Sequence, residues 1–499
     1  MAALLLLSSC TSAPAALPPT GPATQSSPTS EPVPTGTADP HDARRLHLFV
    51  DARWIAAGRC TPASVSVRRG RLRVRLEWRI AGGAWSPWPA GPERRLHRGI
   101  AALPACPGWN SGPVEIRAVA PGARPSAPAH VHVRPEPWMR DLEAVIGDRP
   151  LSVSVITEGA FVYGHDAGVR RTPASNEKVL LSMALLDRFG PRERIPTEAA
   201  IRGRLRGGVV DGDLYLVGNG DPEVGADDIH RLALTLRAAG LRRIGGSVVA
   251  DRSTFVRDRG APGWHPIALR YIGLPTALSF EANVDAGGFV FDPERRAAAA
   301  LAAELRSIGI PSGGPPGAAR TVPGGLRTVA EVWSDPLGQI LRRQNVSSLN
   351  LEAETLSKML ATDVLRRPGS IAAGARVIET WANDLEAGVA LHDASGLSYR
   401  NRVSTASMAA LLDVARRRPW GRALFASLPA SGEGTLGGRL AGLEVRAKTG
   451  TLIRDVSALS GYVRLRDGTW SSFSIMSALP KDEAVGLEDA IVRAIAANA

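Results

Sequence analysis

Lysine is almost missing from this chain. Of 60 basic residues only Lys178, Lys358, Lys448 and Lys481 are lysines, and every other cation is an arginine. Arginine keeps its proton in proteins, so any chemistry that needs an amine to release and retake a proton has four positions to choose from. Cysteine is as scarce, with Cys10, Cys60 and Cys106 alone. There is no Cys-x-x-Cys and no Cys/His cluster, which excludes a structural zinc site, and neither metal nor cofactor is expected. No apolar run reaches the ~18 residues that a membrane-crossing helix requires. Basic runs of five or more are missing too. The net charge of +12 would suit an acidic partner such as nucleic acid, an anionic membrane or an acidic wall polymer. The arginines are scattered, however, and no recognition motif accompanies them. The charge therefore reads as surface composition, and no nucleic-acid partner is expected.

The chain has 499 residues, 44% hydrophobic and 22% charged, which fits a globular protein of two or three domains. Residues 1–42 stand apart. "MAALLLLSSC" lacks a basic leader segment, but Leu7-Ser8-Ser9-Cys10 resembles a bacterial lipoprotein signal, in which the cysteine is lipidated. The stretch that follows, "TSAPAALPPTGPATQSSPTSEPVPTGTADP", is too rich in Pro, Ser and Thr to bury a core and reads as a tether. Together they imply export to the cell envelope, with membrane contact only through a lipid on Cys10.

Residues 43–135 alternate apolar and polar positions in short runs, "LHLFVDARW", "SVSVRRGRLRVRLEWRI", "PVEIRAVA" and "HVHVRP", with Gly/Pro turns between them. Strands at this spacing predict a β-sandwich of fibronectin-like type. In an exported protein Cys60 and Cys106 would pair as a disulfide. The module is either a binding device or a spacer.

From 136 onward the pattern becomes mixed. "SVSVIT" and "GAFVYGHDA" predict a hairpin, and "SNEKVLLSMALLDRFG" a buried helix stopped at Gly190-Pro191. Residues about 200–325 mix strands, loops and one Ala-rich helix. Helices follow, and the chain ends in three strands and a helix. Strands at both ends of this region with helices between them predict one α/β domain closed by its own termini, with a subdomain inserted at about 200–325.

Two of the four lysines fall in reactive-looking company. Ser175 and Lys178 are three apart at a helix start, so they share a face. A serine hydroxyl is a weak nucleophile that needs a base, and a neutral lysine amine can serve where an arginine cannot. Alone, the pair could equally be a capping serine and a surface lysine. "VSSLNLEAETL" adds Ser348-x-Asn350 at the start of a second helix, and "VRAKTGTL" adds Lys448-Thr449-Gly450 on a late strand.

Ser-x-x-Lys, Ser-x-Asn and Lys-Thr-Gly in this order are the motif set of penicillin-binding proteins. From about 140 to the C-terminus the chain resembles the D-alanyl-D-alanine carboxypeptidase/endopeptidases of the class C low-molecular-mass group, peptidase family S13. "TPASNEK", "GDLYLVGNGDPEV", "GSVVADRSTF", "NLEAETL", "DASGLS" and "AKTGTLIRDVSALSGYV" carry the likeness, in family order. Leu349 stands where the family usually shows Asp, and Ala394 where Gly is common. Tyr399 precedes Arg400 where the basic residue often follows "SGLS" directly.

The resemblance implies a mixed α/β fold, an antiparallel sheet flanked by helices. It implies serine-type hydrolysis of D-Ala-D-Ala in peptidoglycan stem peptides, with β-lactams as covalent inhibitors. Ser175 would be the nucleophile and Lys178 its base. Ser348 would relay a proton to the leaving amine, and Asn350 would hold Lys178 and the substrate amide. Lys448 would stay charged and supply positive potential, and Thr449 and Gly450 would help bind the terminal carboxylate. The backbone N–H groups of Ser175 and Thr451 would form an oxyanion hole. Asp251 would meet the amine of the substrate's diamino acid, although a turn-forming aspartate would look the same. The alternatives are a β-lactamase or esterase on this fold, and a catalytically weak wall-binding scaffold.

Overall fold

A computed structural model describes residues 44–497, apart from 53, 57–60, 69–71, 81–84, 88–92, 106–111 and 320–321. The lipidation expected at Cys10 and the disulfide expected between Cys60 and Cys106 lie outside the described residues.

The N-terminal alternation does produce two packed sheets. One holds strands His47–Val50, Thr61–Ser66 and Ile100–Ala105. The other is built on Trp54–Ala56, Ala129–Arg134, Gly112–Val119 and Arg73–Ile80. Ala63, Val65, Val74, Leu76, Leu103, Ile116 and Val131 point inward and are almost fully buried. Each of the Val, Leu and Ile side chains contributes roughly 1.5–3 kcal/mol by leaving water, which is what makes period-two patterning decisive. The core does not stop at the sandwich. It continues through Met139 and Leu142 into Val153, Leu459, Ile491 and Ile495 as one cluster.

Helix α1 (Pro137–Ile146) leads into the hairpin Leu151–Thr157 and Ala160–His165. The first of these strands pairs with Trp470–Ser477 along its whole length, Leu151 opposite Ser477 through Thr157 opposite Ser471. Val456–Arg464 and Val445–Leu452 complete an antiparallel five-stranded sheet, so the two ends of the domain do close on each other. Helix α2 (Glu177–Phe189) is buried from Glu177 to Leu186, as a helix apolar on most faces must be. It ends at Gly190.

The insert forms its own mixed sheet, in the order 317–319, 248–251, 214–218, 196–202, 326–333. It therefore starts and ends slightly outside the expected 200–325. Helices α3 (Ala226–Ala238) and α4 (Pro293–Ser307) cover one face. Helices α5 (Leu337–Ser347), α6 (Asn350–Leu365), α7 (Ile371–Asn383) and α9 (Gly421–Ser427) pack around α2, and α8 (Thr405–Arg416) lies on the five-stranded sheet. The chain closes with α10 (Lys481–Ala496) against α1.

Candidate active site

Three sequence-distant segments meet beside the edge strand Val445–Leu452. Ser175 lies in a single 3₁₀ turn, Ala174–Asn176, that leads into α2 rather than in the first α turn itself. Two glycines let neighbours press against that turn. A Cβ on Gly450 would stand 2.9 Å from the Ser175 nitrogen, and one on Gly396 would stand 1.9 Å from the Ala174 oxygen. Gly396 also has φ +83°, a region that glycine enters without strain. Ser348 sits between α5 and α6 in the left-handed region, at φ 58° and ψ 41°, which is unusual for a serine and typical of residues held for function.

The polar contacts form one network. Lys178 Nζ donates to Ser175 Oγ at 3.1 Å, Asn350 Oδ1 at 2.8 Å and the Ser395 carbonyl at 2.5 Å. Three acceptors match the three N–H groups of an ammonium. Remove one proton and the amine keeps two donors while its lone pair faces the serine hydroxyl. Burial pushes the Lys178 pKa down to about 8, and the carboxylates of Asp393, Glu354, Glu177 and Glu352 limit the fall. Lys448 Nζ donates to Ser348 Oγ at 2.9 Å and to its neighbour's carbonyl, Thr449 O, at 2.7 Å. Burial, and then the Lys178 charge, push the Lys448 amine well below the usual lysine range. The expectation that Lys448 simply stays charged is thereby revised, because its site opposes a full positive charge.

A pocket of about 490 Å³ opens above these groups, and Ser175, Ser348, Asn350 and Thr451 line it. Lys178 and Lys448 are fully buried just beneath it. Thr449 and Gly450 are not among its lining residues. Thr449 supplies a carbonyl to Lys448, and Gly450 supplies room for the Ser175 turn. Asp251, the acid expected from the insert, is not among the residues that line this pocket. It ends the strand Val248–Asp251, is 5% exposed, and accepts from the Ser253 N–H at 2.7 Å and Oγ at 3.0 Å. Those bonds make it the turn-forming aspartate. The insert instead sends the loop with His265, Ile267, Ala268 and Tyr271 into the pocket wall. Lys481 stands at the rim, and no acidic residue is among the described residues that line the pocket.

Several contributors carried no chemical role in the sequence reading. Glu354 accepts the N–H groups of Ala394 and Ser395 at 3.0 and 2.8 Å, which fixes the carbonyl that Lys178 uses. Asp393 accepts from Gly396, Ser398 and the Trp264 indole. "DASGLS" and "NLEAETL" were visible as signatures, but a buried carboxylate holding a loop has no spacing rule that exposes it. Lys358 is the third fully buried lysine. Its Nζ reaches the carbonyls of Val256 and Pro275, each at 3.0 Å, and Asp258 Oδ1 at 2.5 Å. It thus fastens both ends of the pocket-wall loop to α6. Asn350 holds the loop's middle by donating Nδ2–H to Tyr271 O at 3.2 Å.

A fold of this kind, with a serine, a lysine amine and a second serine converging under an open pocket, defines a serine-type acyl-transfer hydrolase. The chain belongs to the D-Ala-D-Ala carboxypeptidase 3 (S13) family, whose model matches residues 141–287 and 281–498. It is 29% identical over 496 residues to a D-alanyl-D-alanine carboxypeptidase of Actinomadura sp. (strain R39), covering 79% of this chain and 90% of that one. It is 30% identical over 397 residues to the carboxypeptidase DacB of Mycolicibacterium smegmatis, covering 73% and 82%. Among solved structures, penicillin-binding protein 4 (dacB) from Haemophilus influenzae shares the fold at TM-score 0.63 and 20% identity, over 72% of this chain and 99% of that one. The protein is a serine-type D-Ala-D-Ala carboxypeptidase of the carboxypeptidase/endopeptidase class.

Proposed function

We propose that hydrolysis runs through an ester on Ser175. Ser175 Oγ attacks the carbonyl of the penultimate D-alanine, and its proton passes to the neutral Lys178 amine. The N–H groups of Ser175 and Thr451 receive the developing oxyanion. Ser348, with Lys448 behind it, relays to the departing amine the proton that Lys178 took from Ser175, so that Lys178 is neutral and Ser348 a hydroxyl again once the C–N bond has broken. Water then attacks the ester, Lys178 takes its proton and hands it to Ser175 Oγ as the acid leaves. The observation that carries this reading is the 3.1 Å contact of Lys178 Nζ with Ser175 Oγ at the floor of an open pocket. A lysine with its pKa pushed down to about 8 is neutral in about a tenth of molecules at pH 7, which is enough for a base.

The polymer acted on is peptidoglycan, and β-lactams acylate the same serine. A Haemophilus influenzae relative of the same fold was crystallised with a β-lactam. The site works outside the cytoplasm, where that polymer lies, with Cys10 as a lipid anchor. Among the described residues no helix is long and apolar enough to cross a membrane. Mass spectrometry of the protein after treatment with a penicillin tests the central claim. A penicilloyl ester on the tryptic peptide containing Ser175 is expected, and labelling elsewhere overturns it.

A further inference from the structure

The net charge of +12 is not spread over the chain. Residues 43–135 hold 16 arginines and no lysine against four acids, Asp51, Glu77, Glu93 and Glu115. The sandwich alone therefore accounts for +12, and the rest of the chain, with 44 basic and 44 acidic residues, is neutral. Strand register gathers much of this charge on one face. Val74 and Leu76 alternate inward, so Arg73, Arg75, Glu77 and Arg79 point outward. Arg73 lies opposite Arg95, Glu77 opposite Arg117, and Arg79 opposite Glu115. The next strand adds His130, His132 and Arg134, with Trp54 opposite His132.

Indoles interleave with these cations. Trp85 lies between the guanidiniums of Arg79 and Arg117, at 4.6 and 4.2 Å, and Arg134 stacks on Trp54 at 4.2 Å. The central acids are already engaged, Glu77 by Arg75 and Arg117 and Glu115 by Arg79. Such an excess of like charge within a Debye length weakens the module by self-repulsion, which a bound polyanion relieves.

We propose that this face binds a phosphodiester-linked anionic polymer of the bacterial wall and so holds the hydrolase on the matrix that contains its substrate. The choice of a wall polymer rests on the peptidase reading. Planar guanidinium forks match phosphate oxygens, and the exposed Trp54 offers a flat surface for a sugar ring. A membrane fits less well. Among the described residues of the module the exposed aliphatic and phenyl side chains that could insert into one, Phe49 and Ile100, belong to the other sheet, and Trp54 on this face is already stacked with Arg134.

The test uses the full chain carrying Ser175→Ala, so that no wall is cut. It is mixed with purified walls that bear phosphodiester polymer, and with the same walls stripped by hydrofluoric acid. Affinity is expected to fall at least tenfold on stripping and on the order of 10²-fold between about 50 and 200 mM salt. Replacing Arg73, Arg95 and Arg134 together by Gln in that chain should cost at least tenfold on intact walls. In the otherwise native chain the same triple change should leave penicillin labelling of Ser175 unchanged. Equal retention on stripped walls, or undiminished binding by the triple variant, overturns the proposal. Binding to phosphatidylglycerol vesicles or duplex DNA as tight as to walls overturns the choice of partner. Absence of penicillin labelling in the native chain would instead count against the peptidase reading, so the two failures are told apart.

Discussion

Lys178 Nζ donates to Asn350 Oδ1 across 2.8 Å, tying the helix that follows the nucleophile to the helix that follows the second serine. The same amine faces Ser175, so its proton is the one that reaction must move. Lys178→Arg keeps the charge and removes the base. Acylation of Ser175 by a fluorescent penicillin is expected to fall on the order of 10³-fold or more. Wild-type acylation should rise about tenfold per pH unit up to about 8 and then level off, because the neutral amine is lost as pH falls through its pKa. A flat profile between pH 6 and 8 would remove Lys178 from the role.

Gly396 predicts the tolerance of the nucleophile's turn. Alanine there costs about 1 kcal/mol for its positive φ, and its methyl group would collide with the Ala174 carbonyl. Ser175 must then shift. Gly396→Ala should fold, with penicillin acylation slowed at least about 100-fold, the scale expected when a reacting atom is misplaced by an ångström. Gly438, also at positive φ but with nothing within 4 Å of its Cβ position, serves as the control, and Gly438→Ala should acylate normally.

How much of this was legible depends on what each signal encodes. The motif serines and lysines were readable because the reaction dictates both residue type and spacing. The sandwich strands are readable because period-two burial writes itself into the sequence, and the closing sheet because small serines alternate with apolar residues in strands buried on both faces. Helix α3 is not marked in the sequence of the insert, because Asp227, Asp228, Arg231 and Arg237 dilute its apolar pattern. Glu354 and Lys358 act by holding loops far away in sequence, and nothing local marks such a role. Sequence alone leaves Asp251 open, because an aspartate at a strand end has the same local appearance whether it caps a turn or meets a ligand. The arginines escaped because runs were sought, whereas the charge is concentrated by module.

Lys358 predicts a loss of stability with a functional trace. Its ammonium, itself unexposed, satisfies two loop carbonyls and the partly exposed Asp258 carboxylate. Lys358→Met would leave Asp258 with only the Ile371 N–H and the carbonyls without a donor, at a cost of about 2–4 kcal/mol. A planar guanidinium cannot reproduce the compact contact, so Lys358→Arg should restore less than half of the loss. Urea unfolding measures both. Full rescue by arginine would mean that only the charge mattered.

The pocket predicts indifference to a free amine on the substrate. Its described lining has no carboxylate, and Lys481 stands at the rim, so an ammonium on the third residue of a stem peptide gains no partner there. A carboxylate facing such an ammonium in a partly dry site would be worth a large preference, since a charge-assisted hydrogen bond contributes about 1.5–3 kcal/mol, or roughly 10- to 100-fold in kcat/KM. Without it, a pentapeptide with a free side-chain amine and its N-acetylated counterpart should differ by less than about threefold in kcat/KM, the spread left when no charged partner is gained. Asp251→Asn separates this from a hidden contribution of the insert. The amide keeps the acceptor for the Ser253 N–H but weakens the turn, so the melting temperature should drop while the ratio of the two substrates stays constant. A preference of tenfold or more for the free amine, abolished by Asp251→Asn, would return Asp251 to the substrate and show that the insert closes further over the pocket when a stem peptide is bound.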